Sequence, residues 1–338
     1  MGFKMTSQTQ RDFNAIPILD VSALRSGADA GFRAVAAELK NYLENVGFLY
    51  IKGHSVPRQS VEAVREAGKR FHALPLDEKL KLKMDRNFRG YIPINTSTIV
   101  TSSVAKVTKP NQSESLMIMH EVAADDPAAL AGKPLQGPNQ WPDESALPDF
   151  RATIETYVEQ MSQLGRQMLE AITIALGMPR GALAPHFEKP TTFLRLLHYP
   201  TQPEEDGLFG SAPHTDYGFI TLLAQDEVGG LEVKNKAGDW IAAPPIPDTF
   251  VMNVGDILAR WSNDRFVSTP HRVINRSGRE RYSQPFFFDP HMDTLIEVLP
   301  SCVPPGLVPK HEPVVYGDYL MERIDKNYQA RGKPASAA

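Results

Sequence analysis

The chain has 338 residues, 42% of them hydrophobic, so it can bury a sizeable core as one enlarged barrel domain with a helical extension or as two domains. Its 36 basic and 40 acidic residues give a net charge of −4, which excludes the strong positive field of proteins that bind nucleic acid or anionic membranes. The single cysteine, Cys302, excludes an intrachain disulfide framework and zinc sites built on paired cysteines.

The same features predict a cytoplasmic location and no membrane partner. One cysteine suits a reducing compartment, and the first residues lack the apolar stretch of a signal peptide. No run of about 18 or more apolar residues is present, so no membrane span is expected. We expect no nucleic-acid partner either, and the sequence leaves the oligomeric state open.

Residues 14–130 alternate strand and helix patterns and are expected to form an α/β region. Residues 89–109 are polar and weakly patterned, which indicates a long loop, and long loops in compact domains are often functional. The elements expected in this region are strands at about 16–20, 48–51 and 115–119, helices at about 30–45 and 60–73, and a third helix that starts at Pro75.

A long supporting helix is expected over residues 149–179. Apolar residues recur at helical spacing from Ile154 to Ile172, so one face of the helix is apolar. Gly177 and Pro179 mark its end. A last helix is expected within residues 315–330.

Residues 190–298 predict a β-rich core. Eight short strand-like runs are separated by Pro, Gly and Asp, which is the pattern of a β-sandwich or a jelly-roll barrel. The runs are 193–199, 219–224, 231–234, 250–253, 257–261, 271–275, 282–288 and 294–298.

His214 and Asp216 lie just before the run 219–224. In an extended chain, residues two positions apart point to the same side, so an imidazole and a carboxylate can aim at one point. The chain has nine histidines, and this pair alone is better explained as a polar turn at a barrel rim.

His271 follows Asp216 by 55 residues and begins an apolar run. A strand that far along a jelly roll can return beside the first one. Two histidines and one carboxylate leave metal positions open, which is the arrangement favoured by iron(II) oxygenases. Taken alone, His271 would be a hydrogen-bonded residue at the rim.

Arg281 and Ser283 follow and again share a face. A guanidinium offers a fixed fork to a carboxylate, and a hydroxyl supplies another hydrogen bond. An arginine inside a barrel needs an anion to offset its desolvation, so the pair indicates an anionic ligand. The alternative is a surface arginine paired with Glu280 or Asp289.

Together these motifs resemble the isopenicillin N synthase-like branch of the 2-oxoglutarate/iron(II) dioxygenases. The His-X-Asp pair, the later histidine and the Arg-X-Ser pair occur in the family's order and spacing. The resemblance covers about residues 14–330. Other family-like runs are 16–20, 47–54, 89–91, 214–218, 225–231, 253–256 and 262–273.

The resemblance implies a mainly β fold with flanking α-helices. Its core would be a distorted double-stranded β-helix, or jelly roll, with an N-terminal α/β extension and the long supporting helix. The resemblance also implies that His214, Asp216 and His271 are the catalytic metal ligands.

For the co-substrate, the resemblance implies that Arg281 and Ser283 bind the far carboxylate of 2-oxoglutarate, helped by Tyr199. Leu197 replaces the asparagine of the family's Asn-X-Tyr-Pro pattern. The implied cofactors are Fe(II), 2-oxoglutarate and O2, with ascorbate as a candidate reductant. The implied reaction oxidises an unactivated C–H bond of a small-molecule substrate, with hydroxylation as the expected outcome and release of succinate and CO2.

Five residues are expected to form the substrate pocket. Arg89 is a candidate clamp for a substrate carboxylate, and a structural role is its equal alternative. The sequence does not name the substrate. The five candidates are Arg89, Tyr91, Met117, Tyr217 and Phe288.

Three other functions stay open from the sequence. The first is an iron oxidase or cyclase of the same fold, in which the Arg-X-Ser pair holds the substrate's own carboxylate. The second is a non-catalytic 2-oxoglutarate sensor. The third is a zinc hydrolase, because two histidines and a carboxylate also suit zinc, although the sequence contains no HExxH motif.

Overall fold

The computed structural model describes residues 12–99, 102, 104–203 and 205–327. The strands are β1 (Ile18–Asp20), β2 (Phe48–Lys52), β3 (Gly90–Ile92), β4 (Glu114–Met119), β5 (Thr191–Tyr199), β6 (Ser211–His214), β7 (Ile220–Gln225), β8 (Leu231–Lys234), β9 (Trp240–Ala242), β10 (Thr249–Val254), β11 (His271–Val273), β12 (Arg281–Asp289), β13 (Leu295–Ile296) and β14 (Val314–Val315). The α-helices are α1 (Asp29–Asn45), α2 (Arg58–His72), α3 (Leu76–Leu80), α4 (Pro127–Leu130), α5 (Phe150–Ala175), α6 (Asp256–Trp261) and α7 (Tyr316–Asn327).

Two sheets form the core of the fold. The large sheet has the order β1-β2-β10-β7-β12-β5-β4-β3, and the small sheet has the order β6-β11-β8-β9. They share an apolar core to which the large sheet contributes Tyr50, Leu197 and Val251, and the small sheet Val233 and Val273. The mainly β jelly roll with flanking helices is therefore confirmed.

Helices cover the outer face of the large sheet. Helix α5 lies at the centre of this layer and contacts α1, α2 and β12. It buries one apolar stripe, which includes Ile154, Leu164 and Met168, and each such side chain stabilises the fold by roughly 1.5–3 kcal/mol relative to exposure. This is the predicted supporting helix. None of the described helices combines the length and apolar character that crossing a membrane requires.

The N-terminal strands extend the same large sheet at both edges. Strands β1 and β2 lie beside β10, while β3 and β4 lie beside β5. Residues 14–130 and 190–298 therefore share one hydrogen-bonded sheet. This sheet fixes the position of the cavity described below.

One predicted strand was wrong. Residues 257–261 belong to helix α6, which follows Gly255 and carries Asp256 in its first turn. A carboxylate there is favoured by the helix dipole, and a short apolar run does not distinguish a buried strand from a buried helix. The loop expected over 89–109 contains β3. The last predicted helix corresponds to α7, and its residues after 327 lie outside the described residues.

Candidate active site

His214, Asp216 and His271 converge beside the small sheet. His214 ends β6, and His271 lies opposite it at the start of β11. Asp216 follows β6 by two residues, and its Oδ1 lies 3.6 Å from Nε2 of His214 and 3.7 Å from Nε2 of His271. The candidate ligand atoms all lie within 4.8 Å of one another, so one ion can bind all three.

Main-chain carbonyls orient both imidazoles. Nδ1 of His214 lies 2.7 Å from the carbonyl oxygen of Ala212, and Nδ1 of His271 lies 3.3 Å from that of Thr269. A carbonyl oxygen only accepts hydrogen bonds, so each Nδ1 carries the proton. Each Nε2 then directs a lone pair at the site, as metal ligation by histidine requires.

The Asp216 carboxylate is held through one oxygen only. Its Oδ2 accepts hydrogen bonds from Thr221 Oγ1 at 2.5 Å and from Asn253 Nδ2 at 2.7 Å. Burial by itself would raise the pKa of Asp216, but His271, His214 and these hydrogen bonds together hold the pKa below its ordinary value. Asp216 therefore presents an ionised Oδ1 to the two histidines.

The electrostatics suit a divalent cation. Burial, and secondly the neighbouring His271, lower the pKa of His214 to about 4, so this imidazole is neutral at neutral pH. Two imidazole nitrogens and one carboxylate oxygen on one side of an ion leave other positions open to ligands. This donor set fits Fe(II) in the oxygenases that use two histidines and one carboxylate.

A second group of similar composition lies on the outer side of β4. His72, Glu114 and His198 also bring their ligand atoms within 4.8 Å of one another. However, the ammonium of Lys79 lies 2.9 Å from Oε2 of Glu114, which also accepts a hydrogen bond from Tyr91. A cation already neutralises this carboxylate, so the group is an internal ion-pair network and not the better metal site.

Arg281 and Ser283 lie together on β12, opposite Tyr199 and Leu197 of β5. The Arg281 guanidinium is 0% exposed and lies over the Tyr199 ring, 4.7 Å from its centroid. It donates to Ser283 Oγ at 3.1 Å and to Gln225 Oε1 at 3.3 Å. These contacts fix the guanidinium in one orientation.

No carboxylate of the described residues pairs with Arg281. Glu280 accepts a hydrogen bond from the Tyr282 hydroxyl, and Asp289 lies at the other end of β12. The alternative in which Arg281 pairs with either acid is therefore wrong. A buried guanidinium without a counter-ion favours an anionic ligand.

A cavity of about 130 Å³ adjoins His214 and Asp216. We call it the metal-side cavity. Its described lining includes two of the three residues His214, Asp216 and His271, which we call the triad, and does not include Arg281. The lining includes Met117 and Tyr217 of the five predicted substrate residues. Other apolar side chains that line it are Phe88, Ile99, Phe193, Phe287, Leu320 and Ile324.

The structure corrects the expectation for Arg89. Its guanidinium is buried and donates to the carbonyl oxygens of Asn87 at 3.0 Å, Leu135 at 2.9 Å and His120 at 2.8 Å. Burial lowers its pKa to about 10. Arg89 therefore ties three segments of the chain together, and its guanidinium lies outside the metal-side cavity.

Tyr91 and Phe288 also lie outside the metal-side cavity. The Tyr91 hydroxyl donates to Glu114, on the outer side of the sheet. Phe288 points toward α5, where an added Cβ on Gly165 would lie 2.6 Å from its ring. The expectation that these two residues contact a substrate is corrected: both belong to the packing layer between sheet and helices.

Four residues at the site were not found from the sequence. Thr221, Asn253 and Gln225 come from strands whose pairing only the fold determines. Arg195 could have been recognised from the sequence, because it is the only arginine or lysine in the apolar run 193–199. Strand alternation places it on the same side as Phe193, which lines the cavity.

Two family models match the chain. The model described as the 2OG-Fe(II) oxygenase superfamily matches residues 190–290, and that described as the N-terminal region of non-haem dioxygenases in morphine synthesis matches residues 16–144. The 2-oxoglutarate-Fe(II) type oxidoreductase hxnY of Emericella nidulans is 38% identical over 93% of this chain and 90% of its own. The homoarginine-6-hydroxylase 2-ODD-233 of Oryza sativa subsp. japonica is 35% identical over 94% and 98%.

A solved structure agrees with these relatives. A full-length Neurospora crassa protein, crystallised in complex with alpha-KG and thymine, superimposes with a TM-score of 0.81 and 31% identity, over 92% of this chain and 96% of that one. The chain therefore belongs to the 2-oxoglutarate/Fe(II) oxygenase superfamily, in its isopenicillin N synthase-like branch. It is an oxidoreductase that depends on Fe(II) and 2-oxoglutarate. These similarities favour this function over the three alternatives left open by the sequence: a sensor, a zinc hydrolase and an oxidase that uses no 2-oxoglutarate.

Proposed function

We propose that the enzyme hydroxylates a C–H bond of a small molecule in the metal-side cavity, with His214, Asp216 and His271 as the iron ligands. The convergence of Nε2, Oδ1 and Nε2 within 4.8 Å carries this proposal. Iron and 2-oxoglutarate, when bound, supply the oxidation that inserts one atom of O2 into the substrate and releases succinate and CO2. Ascorbate is the proposed reductant that keeps the iron divalent.

The protein's own part is to hold these groups and exclude water. We assign Arg281, Ser283 and Tyr199 to the far carboxylate of 2-oxoglutarate. The guanidinium offers a charged fork, Ser283 adds a hydroxyl, and Gln225 keeps the fork in place. Leu197 lies opposite Ser283, where the family pattern has an asparagine, so the pair works here without that amide.

The metal-side cavity holds the substrate in this proposal. The structural relatives support a small molecule, since the Neurospora crassa protein was crystallised with thymine. Apolar and aromatic walls remove water from around the reacting bond and orient the substrate against the triad. Met117 and Tyr217 are the predicted substrate contacts that take this role.

We also propose that residues 190–298 form the catalytic core. Both the triad and the Arg281–Ser283 pair lie in this range, while residues 14–130 complete the large sheet. Helices α5 and α7, within the predicted ranges 149–179 and 315–330, cover it. A fragment of residues 190–298 alone is expected to remain unfolded by circular dichroism. A folded fragment would contradict this division of roles.

The proposed location is the cytoplasm. The described chain contains one buried, free cysteine, Cys302, which suits a reducing compartment. Fractionation of the source cells, followed by immunodetection, tests the location. Recovery with a membrane or secreted fraction would contradict it.

Anaerobic absorption spectroscopy tests the residue assignments without a known substrate. The apoprotein is titrated with Fe(II) and then with 2-oxoglutarate, and a weak metal-to-ligand charge-transfer band is expected only with both. Asp216→Ala should abolish the band, and Arg281→Met should weaken 2-oxoglutarate binding while Fe(II) still binds.

The second histidine–carboxylate group provides the matched control. His198→Ala removes one member of that group and should leave the band intact. If His198→Ala loses the band and Asp216→Ala keeps it, the iron binds the group of His72, Glu114 and His198, and the proposal is overturned. A band that forms with Fe(II) alone would contradict the assignment of Arg281.

A further inference from the structure

Arg195 brings a positive charge to the wall of the metal-side cavity. It lies on β5, four residues before Tyr199, which is about 13 Å along an extended strand. One guanidinium nitrogen, Nη2, donates to Ser115 Oγ at 2.9 Å. Its Nε is buried and has no hydrogen-bond partner among the described residues. Arg195 is therefore a separate cation from Arg281 and is only partly satisfied by the protein.

The acids that line the same cavity do not neutralise Arg195. Asp216 faces the two histidines, and both oxygens of Asp289 accept hydrogen bonds, from Phe219 and Tyr316. No carboxylate of the described chain lies within ion-pair distance of the Arg195 guanidinium. A partly buried cation without a counter-ion is stabilised by an anionic ligand, even though polar residues such as Asn111 and Ser211 also line this cavity. A carboxylate on a ligand in this cavity fits that position.

The other walls define the shape of that ligand. Phe88, Phe193 and Phe287 present rings to the cavity, and the Phe193 and Phe287 rings meet edge to face, with centroids 6.1 Å apart. Aromatic walls of this kind favour a flat partner. The volume of about 130 Å³ is close to that of an engineered cavity that takes one benzene molecule, roughly 150 Å³. About one ring therefore fits between these walls, and the open side of the cavity leaves room for a substituent.

We propose that the substrate is a compact, single-ring carboxylate, aromatic or heteroaromatic, whose carboxylate binds Arg195 and whose ring lies against Phe193 and Phe287. This inference rests on the proposed function, because it uses the same triad and co-substrate. One C–H bond of the ring or its substituent breaks, and one C–O bond forms with an atom of O2. The second oxygen atom enters succinate, and 2-oxoglutarate loses CO2, so atoms and electrons balance.

Binding measurements test the proposal in the wild-type enzyme before any substitution. The anaerobic Fe(II)–2-oxoglutarate complex is titrated with benzoate, nicotinate, their amides benzamide and nicotinamide, and cyclohexanecarboxylate. A change in the charge-transfer band reports ligands that reach the metal side. At least one aromatic carboxylate should bind about 10-fold or more tightly than its amide, because a charged hydrogen-bonded pair is lost in the amide. The saturated ring should bind more weakly than benzoate.

Substitution of Arg195 tests the assigned residue. Arg195→Met should remove the preference for the acid over the amide, and Arg195→Lys should restore part of it. Arg272→Met is the matched control. Arg272 is also an arginine near the site, but it pairs with Glu232, and neither residue lines the cavity. This control should keep the preference for the acid. All variants should retain the Fe(II)–2-oxoglutarate band.

The outcomes separate this inference from the proposed function. If no aromatic carboxylate binds, or the amides bind equally well, while the band forms normally, the substrate class is overturned and the oxygenase site stands. If Arg195→Met weakens 2-oxoglutarate binding, Arg195 serves the co-substrate and the inference is also overturned. If no band forms in the wild-type enzyme, the proposed function itself is contradicted, and the substrate inference that depends on it is contradicted too.

Discussion

Tyr316 donates a hydrogen bond to the Asp289 carboxylate over 2.7 Å. The other oxygen of Asp289 accepts the backbone N–H of Phe219 over 2.6 Å, in the segment that follows the triad aspartate. Tyr316 begins α7, and Leu320 and Ile324 of that helix line the metal-side cavity. One buried carboxylate therefore joins the C-terminal helix to the segment that carries Asp216, a proposed iron ligand.

Removal of this hydroxyl should loosen α7. Tyr316→Phe leaves one oxygen of Asp289 without its donor, which costs about 1–3 kcal/mol for a buried group. Urea unfolding measures the loss of stability. Relative to the wild type, hydrogen exchange in Tyr316→Phe should become faster in α7 and stay the same in β12. Tyr50→Phe is the control, since it removes a tyrosine hydroxyl that donates to the carbonyl oxygen of Pro244, away from α7. Unchanged exchange in Tyr316→Phe would show that the bond does not hold the helix.

Asp289 should also make stability depend on pH. Burial raises its pKa to about 7, whereas an unfolded aspartate titrates near 4. Between these values the folded protein holds a proton that the unfolded chain releases. The contribution of Asp289 to stability is therefore most favourable below about pH 4 and is lost as pH rises to about 7, by at most about 1.4 kcal/mol per pH unit.

The Asp289→Asn variant isolates this effect in the metal-free protein. Asparagine can accept from Phe219 and donate to Tyr316, but it does not titrate. The free energy of unfolding of the wild type, minus that of the variant, should fall from pH 4 to pH 7 and stay level above pH 8. A difference that is constant across this range would mean that Asp289 titrates normally.

Asn253 should control metal affinity without touching the metal. It donates to Oδ2 of Asp216 and, with Thr221, leaves Oδ1 directed at the histidines. Asn253→Leu should weaken Fe(II) binding by about 10-fold, the lower end of the range for second-layer partners of metal ligands. Anaerobic titration against a competing chelator measures this change. Asn275→Leu removes another buried amide, which bonds the backbone of Arg279, and should leave the affinity unchanged.

Most of the site residues could be predicted because their spacing carries the information. Residues two apart in an extended chain share a face, and this rule predicted that His214 lies with Asp216 and that Arg281 lies with Ser283. The same rule, extended along β12, places Phe287 on the inner face and Phe288 on the outer face. The choice of Phe288 as a substrate contact therefore conflicted with the parity of its own strand.

The residues that the sequence did not reveal depend on register and on distant contacts. Gln225 reaches Arg281 because β7 pairs with β12 at Ser283, and no local pattern specifies that pairing. Arg89 could not be assigned for a similar reason. Two of its three carbonyl partners come from segments 31 and 46 residues away, so only the folded chain shows that its donors are occupied.

The Glu114 network should be the most sensitive polar group in the scaffold. Glu114 is 8% exposed, and its carboxylate lies 2.9 Å from the Lys79 ammonium and 2.8 Å from Nδ1 of His198. Burial by itself would raise the pKa of Glu114, but hydrogen bonds from His198 and Tyr91, together with the nearby His72, hold the pKa well below its usual range. Its contribution to stability is therefore present above about pH 4.5 and is lost as the pH falls below that value.

Glu114→Gln should destabilise the fold by about 3–5 kcal/mol, because it leaves the Lys79 charge buried without its partner. The paired change Glu114→Gln with Lys79→Met removes the unpaired ammonium but keeps an acceptor for His198 and Tyr91, so it should recover most of this loss. Urea unfolding at pH 7 gives the free energy of unfolding of the wild type, of Glu114→Gln and of the paired variant. If the paired variant is no more stable than Glu114→Gln, the cost lies in packing and hydrogen bonding around β4, and the unpaired ammonium is not its cause.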